Sequence, residues 1–469
     1  MATKIQLRRG TSAEWATSNP VLAAGEPGVD LTTGDRRVGD GVRPWANLPT
    51  TGAANVMHYG ARGDASTDDT AAINACIAAN AGKVILFPAG RTYAITADNG
   101  DPTDGHGGGI VLGQPGTTLA MRGATVTMKP TSSTHYQLLD VTAADCRVIG
   151  GRFVGDVGAH TGSTGEFGHG VSVGAGAHRL TLDDVYVTRC WGDGFFVWED
   201  PADVALRSCV ADDNRRQGLS IIDATRPRVI GGAYINTGRT AFTGPAAGID
   251  IEPDAGTERD VTDALVSGVM LSGNVGQGLW TSSNGRTVTA QVVGCRAVGN
   301  GSAGFQVDGA GNLTTLVGCS SVGNTGAGFL VSSTVSGGSL KGCEARANTA
   351  QGFNIAGDYV AAQSCTASAN RENGFVLGGT SDTVALVGCV GSGNGQSGST
   401  APDFDIYGAR AMITGCASAA GNLTNKPGFG FVVRGGALNT KIRATLATGP
   451  YGDSSYLDMG TGTSVDIAP

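Results

Sequence analysis

VVGCRAVGNGSAGFQV (292–307), LVGCSSVGNTGAGFLV (316–331), LKGCEARANTAQGFNI (340–355) and AAQSCTASANRENGFVL (361–377) are four copies of one sentence. Their cysteines and the next one, Cys295, Cys319, Cys343, Cys365 and Cys389, are spaced 24, 24, 22 and 24 residues apart. A fixed period of this length implies stacked units, each of which buries its apolar face only against its neighbours. Within a unit the apolar positions alternate, as in Gly304-Phe305-Gln306-Val307. Period 2 means short strands, not helices. The reading is an all-β solenoid of triangular β coils.

Stacked coils sit about 4.8 Å apart, so like residues fall above like residues. Cys209, Cys295, Cys319, Cys343, Cys365, Cys389 and Cys416 are expected to form an inward ladder of free thiols. Parallel Cβ atoms at that spacing stand farther apart than the ~3.8 Å a disulfide wants. Asn214, Asn300, Asn324, Asn348, Asn370 and Asn394 follow their cysteines by five residues. Asparagine there is expected to take the left-handed conformation and hydrogen-bond the next coil. Phe195, Leu219, Leu279, Phe305, Phe329, Phe353 and Phe375 each follow a glycine and should fill the interior. Weaker copies reach back through Cys146-Arg147-Val148-Ile149 to Val84-Ile85-Leu86-Phe87, giving about 13 coils and a rod of roughly 60 Å. Ser66 to Asn80, with Asp68 and Asp69 near its start, reads as a capped amphipathic helix closing the first coil.

Composition agrees. Among 469 residues there are 77 glycines but only 16 prolines, which favours tight turns without Pro-rich disorder. A net charge of −8 points away from nucleic acid. Residues 1–20 hold no apolar stretch after a basic start, and no run of about 18 apolar residues occurs, so neither a secretory signal nor membrane insertion is expected. The ten cysteines follow the repeat, not a disulfide framework. Nothing calls for a metal or other cofactor.

VMHYGARGDASTDDTAAINACI (56–77) followed by VILFPAGRTYAIT (84–96) closely resembles the opening of pectate-lyase-like β-helix proteins, many phage tail spikes among them. The resemblance implies a right-handed parallel β-helix, with Asp64, Asp68 and Asp69 in its entry turn and helix cap. IQLRRGTSAEW (5–15) with AAGEPGVDLTTGDRRVGDGVRPWANLP (23–49) resembles the N-terminal module of tail fibres related to the phage major tropism determinant. That resemblance implies a small β unit that trimerises and faces the particle. Gly-Asp-Gly (39–41) and Arg-Arg-Gly (8–10) lack the strand-turn-helix context of a phosphate loop and are read as turn residues. The expected organisation is an attachment module at 1–52, an entry cap at 53–100, the β-helix at 101–434 and closing strands at 435–469. Together the two resemblances imply a virion tail protein made in the host cytoplasm without a signal peptide. They further imply a homotrimer held to a phage tail or baseplate through residues 1–52, with a host-surface polysaccharide as partner.

Candidate chemistry sits in the middle coils. Aligning GHGVSV (168–173), GDGFFV (192–197), QGLSII (217–222), AGIDIE (247–252) and QGLWTS (277–282) puts His169, Asp193, Gln217 and Gln277 in one column before the glycine. Ser172, Phe196, Ser220, Asp250 and Trp280 then share the outward column two residues past it. The equivalent places in later coils hold Ala303, Ala327, Leu330 and Val376, which localises the patch. Glycoside hydrolysis needs two carboxylates. Asp250 and Glu252, two apart on one strand, should both point outward roughly 7 Å apart, with Asp193 roughly 10 Å away. These three are the catalytic candidates. His169, Gln217, Trp198, Glu199, Asp223, Trp280 and Gln277 are the glycan-binding candidates, Trp198, Trp280 and Trp191 offering flat faces for sugar rings. His169 in GHGVSVG resembles the glycine-histidine-glycine signature of polygalacturonase-like hydrolases, whose Asn-Thr-Asp and Arg-x-Lys elements this chain lacks in the required order. Asp212, Asp213, Arg215 and Arg216 supply the residue types of a lyase, though Asp-Asp-Asn at a repeat turn also reads as a solvated corner. A glycan-binding spike, a depolymerase (hydrolase ahead of lyase) and a purely structural fibre or baseplate component remain open.

Overall fold

Three short apolar runs per repeat, separated by glycine- and asparagine-bearing corners, dictate three strands per coil. The computed structural model describes residues 7–32, 34–48, 51–96, 108–254, 259–379, 381–396, 401–419, 429–448 and 454–468. One coil runs through strands Val288–Val293, Arg296–Val298 and Phe305–Asp308. Each pairs in parallel with the next coil, as in Gln291 with Thr315, Arg296 with Ser320 and Phe305 with Phe329. The first two faces merge across a tight corner into one 31-stranded sheet, and the third is a separate 14-stranded sheet. The chain is therefore a right-handed parallel β-solenoid of about 14 turns, one more than the repeat count gave.

The cysteine column occupies the tight corner. Gly294, at φ +61, turns the chain there, and Cys295 follows it into the interior. Each thiol donates to main-chain carbonyls, Cys319 to Val292 of the preceding coil at 3.3 Å and to Val317 at 3.6 Å. All ten cysteines are free and buried. Val185, Gly232 and Val269 take this corner in the coils lacking the cysteine. Cys146 stands elsewhere, leading into a first-face strand, and Cys76 lies in a helix. Burial pushes the Cys209 thiol up to about 12. The native protein is expected to leave its thiols essentially unreacted with a thiol-specific chromogenic disulfide at pH ~8, all of them reacting only in denaturant, because the reagent cannot reach the buried sulfurs. Rapid reaction of the native chain would refute the buried ladder.

The asparagine column fills the wider corner before the third face. Asn324 donates both its main-chain N–H and its Nδ2 to Asn348 Oδ1 (3.0 Å each), and Asn348 does the same to Asn370 Oδ1 (3.0 and 2.9 Å). Asn274 belongs to the ladder too, and Asp403 ends it, accepting from Asn394 Nδ2 at 2.7 Å. One expectation is corrected here. The left-handed residue is the one before each asparagine, Gly299, Gly323, Ala347, Ala369 and Gly393, with φ between +53 and +64. The asparagine itself must aim its amide inward along the stack, which that conformation would prevent. Across the interior, Phe305, Phe329, Phe353, Phe375, Phe404 and Phe431 stack with centroids 4.5–5.0 Å apart.

The entry helix spans Thr70–Ala79, later than expected, because Asp64–Asp68 is a strand. Asp69 spends its carboxylate on the N–H groups of Arg62 and Gly63, and Asp68 accepts from the N–H of Thr70. Ile73, Cys76 and Ile77 bury against the first coil. The N-terminal module is a three-stranded sheet (Arg8–Gly10, Pro27–Asp30, Arg36–Val38) plus a helix at Ser12–Ser18, whose cap box joins Thr11 and Glu14. Its core is Trp15 stacked on Trp45 at 3.8 Å, with Leu22 and Leu48. Arg8–Gly10 is thus a strand and not a turn, whereas Asp40 does brace its turn by accepting from Val42 and Arg43. At the other end Lys441–Thr448, Ser454–Asp458 and Ser464–Ala468 continue the same parallel sheets. Among the described residues no helix is long and apolar enough to cross a membrane.

Candidate functional site

The outer surface of the third face carries two neighbouring rows. Main-chain hydrogen bonds align His169, Asp193, Gln217, Ala247 and Gln277 in the first. Strand register aligns Asp140, Ser172, Phe196, Ser220, Asp250, Trp280 and Gln306 in the second. Both columns are as the glycine alignment placed them. Their exposure is not. His169, Asp193, Gln217, Ser172, Ser220 and Asp250 are buried.

Part of the cover comes from residues 156–166, which lead into the strand Phe167–Val173 and lie over this face. Trp191 donates its indole N–H to the Thr164 carbonyl, Arg215 donates to the Gly165 carbonyl (2.8 Å), and Arg216 pairs with Glu166 at 3.2 Å. His160 stacks on Trp191 at 3.8 Å and meets Asp156 at 2.9 Å, while Arg215 lies 3.9 Å from the Trp191 ring. Trp191 is therefore a clamp and not a sugar platform. The two lyase-type arginines are also committed: Arg215 braces this excursion, and Arg216 bonds Asp193.

Beneath the cover lies a polar cluster. Arg216 Nη1 donates to Asp193 Oδ2 at 3.1 Å, and Ser220 Oγ donates to the same oxygen at 2.9 Å. Asp193 is thus more than a turn residue. Burial pushes its carboxyl up, and the Arg216 guanidinium opposes that shift. His169 Nδ1 accepts from the Asp193 N–H at 3.1 Å, so the ring proton sits on Nε2. Burial, with the nearby Arg216 charge, holds His169 well below its usual range and keeps it neutral. Its ring stacks on Phe196 at 4.2 Å.

Asp250 accepts from Gln217 Nε2 at 2.6 Å, and Gln217 Oε1 accepts from the Ala247 N–H. Burial, then the negative charge of Glu252, push the Asp250 carboxyl well above the usual range, and its Oδ1 is buried with no hydrogen-bond partner among the described residues. Glu252, two residues on, is half-buried and accepts from Asn284 Nδ2 at 3.1 Å. A buried carboxyl that holds its proton more tightly than a free side chain thus stands beside a second carboxyl.

Around the cluster stand Phe167, Phe196, Trp198 and Trp280, each partly exposed. Trp198 donates to Ser172 Oγ at 3.1 Å and Trp280 to Asp308 Oδ2 at 2.5 Å, so each ring is held by its polar edge. Gln277 donates to Gln306. Glu199 accepts from the Ala175 N–H and buried Asp223 from the Asp200 N–H, which makes both loop braces at the border of the strip. Asp212 and Asp213 lie outside it, accepting from Tyr186 and Thr240. The patch is less localised than the sequence suggested: Gln306, Asn354 and Asp405 continue the second row, Asp405 being clasped by Arg434 at 2.6 and 2.8 Å. Sequence reasoning missed Asp140, Glu166 and Phe167. Aligning HYQLLDV (135–141) with FGHGVSV (167–173) would have found Asp140. Among the described residues no group of three or more His, Cys, Asp or Glu is placed to hold a metal ion.

Residues 5–43 match the major tropism determinant N-terminal domain, and residues 53–99 match the pectate-lyase-like rhamnogalacturonase A/epimerase family. The solenoid is similar to pre-mature bacteriophage phi29 gene product 12 (14% identity, TM-score 0.55, 87% of this chain and 66% of that one). It is likewise similar to the Dettilon tailspike protein gp208 (14%, TM-score 0.50, 87% and 68%). An Azotobacter vinelandii mannuronan C-5 epimerase A-module, that of AlgE4, aligns at 17% identity with a TM-score of 0.47, over 88% of this chain and 98% of that one. At these identities the likeness is one of fold. No curated protein matches the chain in sequence.

Proposed function

We propose that this chain is a phage tail spike or tail fibre protein that engages a cell-surface polysaccharide along the third face of its solenoid. Residues 1–52 are its attachment module, and three copies assemble side by side. The observation that carries the reading is the strip itself. Four partly exposed aromatic rings, Phe167, Phe196, Trp198 and Trp280, line a row of fixed polar groups, and two of them are anchored by their indole N–H. Such rings offer apolar faces to sugars while the polar row supplies directional hydrogen bonds. Trp198, Trp280, Gln277, Glu199 and Glu252 are the direct contacts of this reading. His169, Gln217 and Asp223 shape the floor from below.

A second reading, a depolymerase, is favoured by one feature: a buried carboxyl whose pKa is raised beside a second carboxyl suits general-acid catalysis. Asp250 is then the acid, Glu252 the base and Asp193 the orienting group. Binding stands first because Asp250 is buried, whereas the acid and the base of a glycosidase must both reach the scissile bond.

The test is incubation of the purified chain with envelope polysaccharide from candidate host bacteria, scoring binding, reducing-end release and unsaturated-uronate absorbance. Trp280→Ala is expected to weaken binding about tenfold, the size of a lost ring stack. Reducing ends that disappear in Glu252→Gln would promote the hydrolase reading, and uronate absorbance a lyase. Absence of both binding and cleavage with every polysaccharide would leave a structural fibre whose strip is covered by another chain.

A further inference from the structure

Around the asparagine corner from the strip, on the second face of the same coils, lies an open groove of about 520 Å³ lined by Arg152, Arg189, Arg239, Asp212, Asp213 and Asn236. We propose that this groove is a second saccharide site, selective for units that carry an anionic group, carboxylate or phosphate. The inference rests on the polysaccharide reading only for the class of occupant; the site itself is built from other residues.

Charge singles the groove out. The chain has 40 acidic against 32 basic residues, yet three exposed guanidiniums converge here. The two aspartates offset two of the three positive charges and leave an excess of one, and their oxygens are engaged in building the groove. Asp212 accepts from the Tyr186 hydroxyl at 2.6 Å and from Asn236 Nδ2 at 2.8 Å. Asp213 accepts from the Thr240 N–H at 2.9 Å and from its hydroxyl at 2.5 Å. Arg189 reaches Asp213 only at 3.7 Å, beyond a normal hydrogen bond. Arg239 spends one nitrogen on Asn236 Oδ1 (3.1 Å), and a guanidinium has five N–H donors. Arg152 Cζ lies 4.3 Å from the centroid of the Tyr186 ring, which holds the guanidinium against the ring without using its donors on a carboxylate. A fixed planar fork is suited to two-point recognition of carboxylate or phosphate oxygens.

Local backbone points the same way. Arg189 has φ +56, in the corner column that Gly273, Gly299 and Gly323 fill in later coils. A long side chain is carried there against the conformational preference of the position. The groove also lies four residues upstream of Asp193 along the chain, and its volume falls within the ~300–1,000 Å³ typical of small-molecule clefts. A polysaccharide crossing the corner would meet both sites.

The experiment is calorimetric titration of the full chain with trigalacturonic acid, inorganic phosphate and neutral maltotriose, at low salt and at ~0.5 M salt, where exposed charges are screened. Expected are binding of an anionic probe, weakening with salt, and a loss of about tenfold or more in each of Arg152→Gln and Arg239→Gln, the size of one charge-assisted pair. Arg179→Gln, at an exposed pair with Asp145 outside the groove, should change nothing. Trigalacturonic acid alone binding assigns carboxylate, and phosphate alone assigns phosphate. Anionic binding that Trp280→Ala abolishes and the groove variants spare would overturn the inference, as would absence of anionic binding. A change of oligomeric mass in the groove variants would also overturn it, since the groove would then be an interface between copies. Loss at the strip with retention here would sink the proposed function and leave the groove standing.

Discussion

Replacing Asn348 by leucine is expected to cost about 3 kcal/mol or more of stability, although the two side chains are similar in size and the site is fully enclosed. Asn348 Oδ1 is the acceptor for both the main-chain N–H and the Nδ2 of Asn324, and Asn348 Nδ2 donates to the Ser321 carbonyl at 3.2 Å. Leucine offers none of these. Asn324 Nδ2 keeps Ser321 Oγ at 2.9 Å, but its main-chain N–H and the Ser321 carbonyl lose these partners. Each buried polar group left unsatisfied costs about 1–3 kcal/mol, more than the leucine can recover by burial in a space shaped for an amide. In a solenoid this loss falls on the contacts between neighbouring coils. Urea unfolding should show the lower midpoint, and hydrogen exchange should show faster opening centred on residues 321–348 with the entry coils little changed. A midpoint shift worth less than ~1 kcal/mol would mean that water, and not the ladder, satisfies these groups.

The same corner shows what the sequence could tell and what it could not. The columns at Cys295, Asn300 and Phe305 were legible because a near-constant spacing forces equivalent residues to stack, and a small thiol, an amide and an apolar ring recur in those three places. That the amide needed a left-handed residue before it was not legible from the asparagine, because Gly299 and Ala347 both serve, and alanine gives no turn signal. The rows of the third face were legible for the same reason as the core: Gly170, Gly194, Gly218 and Gly248 align them. Burial of Asp193 and Asp250 was not. That of Asp193 depends on residues 156–166, whose Thr164, Gly165 and Glu166 meet Trp191, Arg215 and Arg216 across long sequence separations that no local pattern encodes. A polar residue at an outward strand position is expected to be wet unless a distant segment covers it.

Asp250→Asn is expected to stabilise the protein at pH 8 and to remove any cleavage while sparing binding. Because burial raises the folded-state affinity of Asp250 for its proton, its contribution to stability is fully present below the unfolded carboxyl pKa and is lost as pH rises through the folded value. Asparagine keeps an oxygen for Gln217 and carries no ionisable group, so it preserves that bond without ionising. The gain of the variant over the parent should therefore widen from about pH 4 upward, each unit of pKa difference being worth about 1.4 kcal/mol. Asp403 is the control, because it shares the physics and lies in the asparagine corner. It too is buried, its carboxyl is pushed up to about 6 from 3.8, and it accepts from Asn394 and Ser418. Asp403→Asn should gain about 3 kcal/mol at pH 8, the two-unit difference converted, and should leave glycan binding and any cleavage unchanged. Melting curves from pH 4 to 8 beside the polysaccharide assay separate the cases. If both variants gain stability with pH and only Asp250→Asn loses turnover, the buried acid of the third face is held at a cost in stability for chemistry. If neither loses any activity, Asp250 is structural, and the strip works through its aromatic rims alone. A flat stability difference across pH for both would contradict the burial of the two carboxyls.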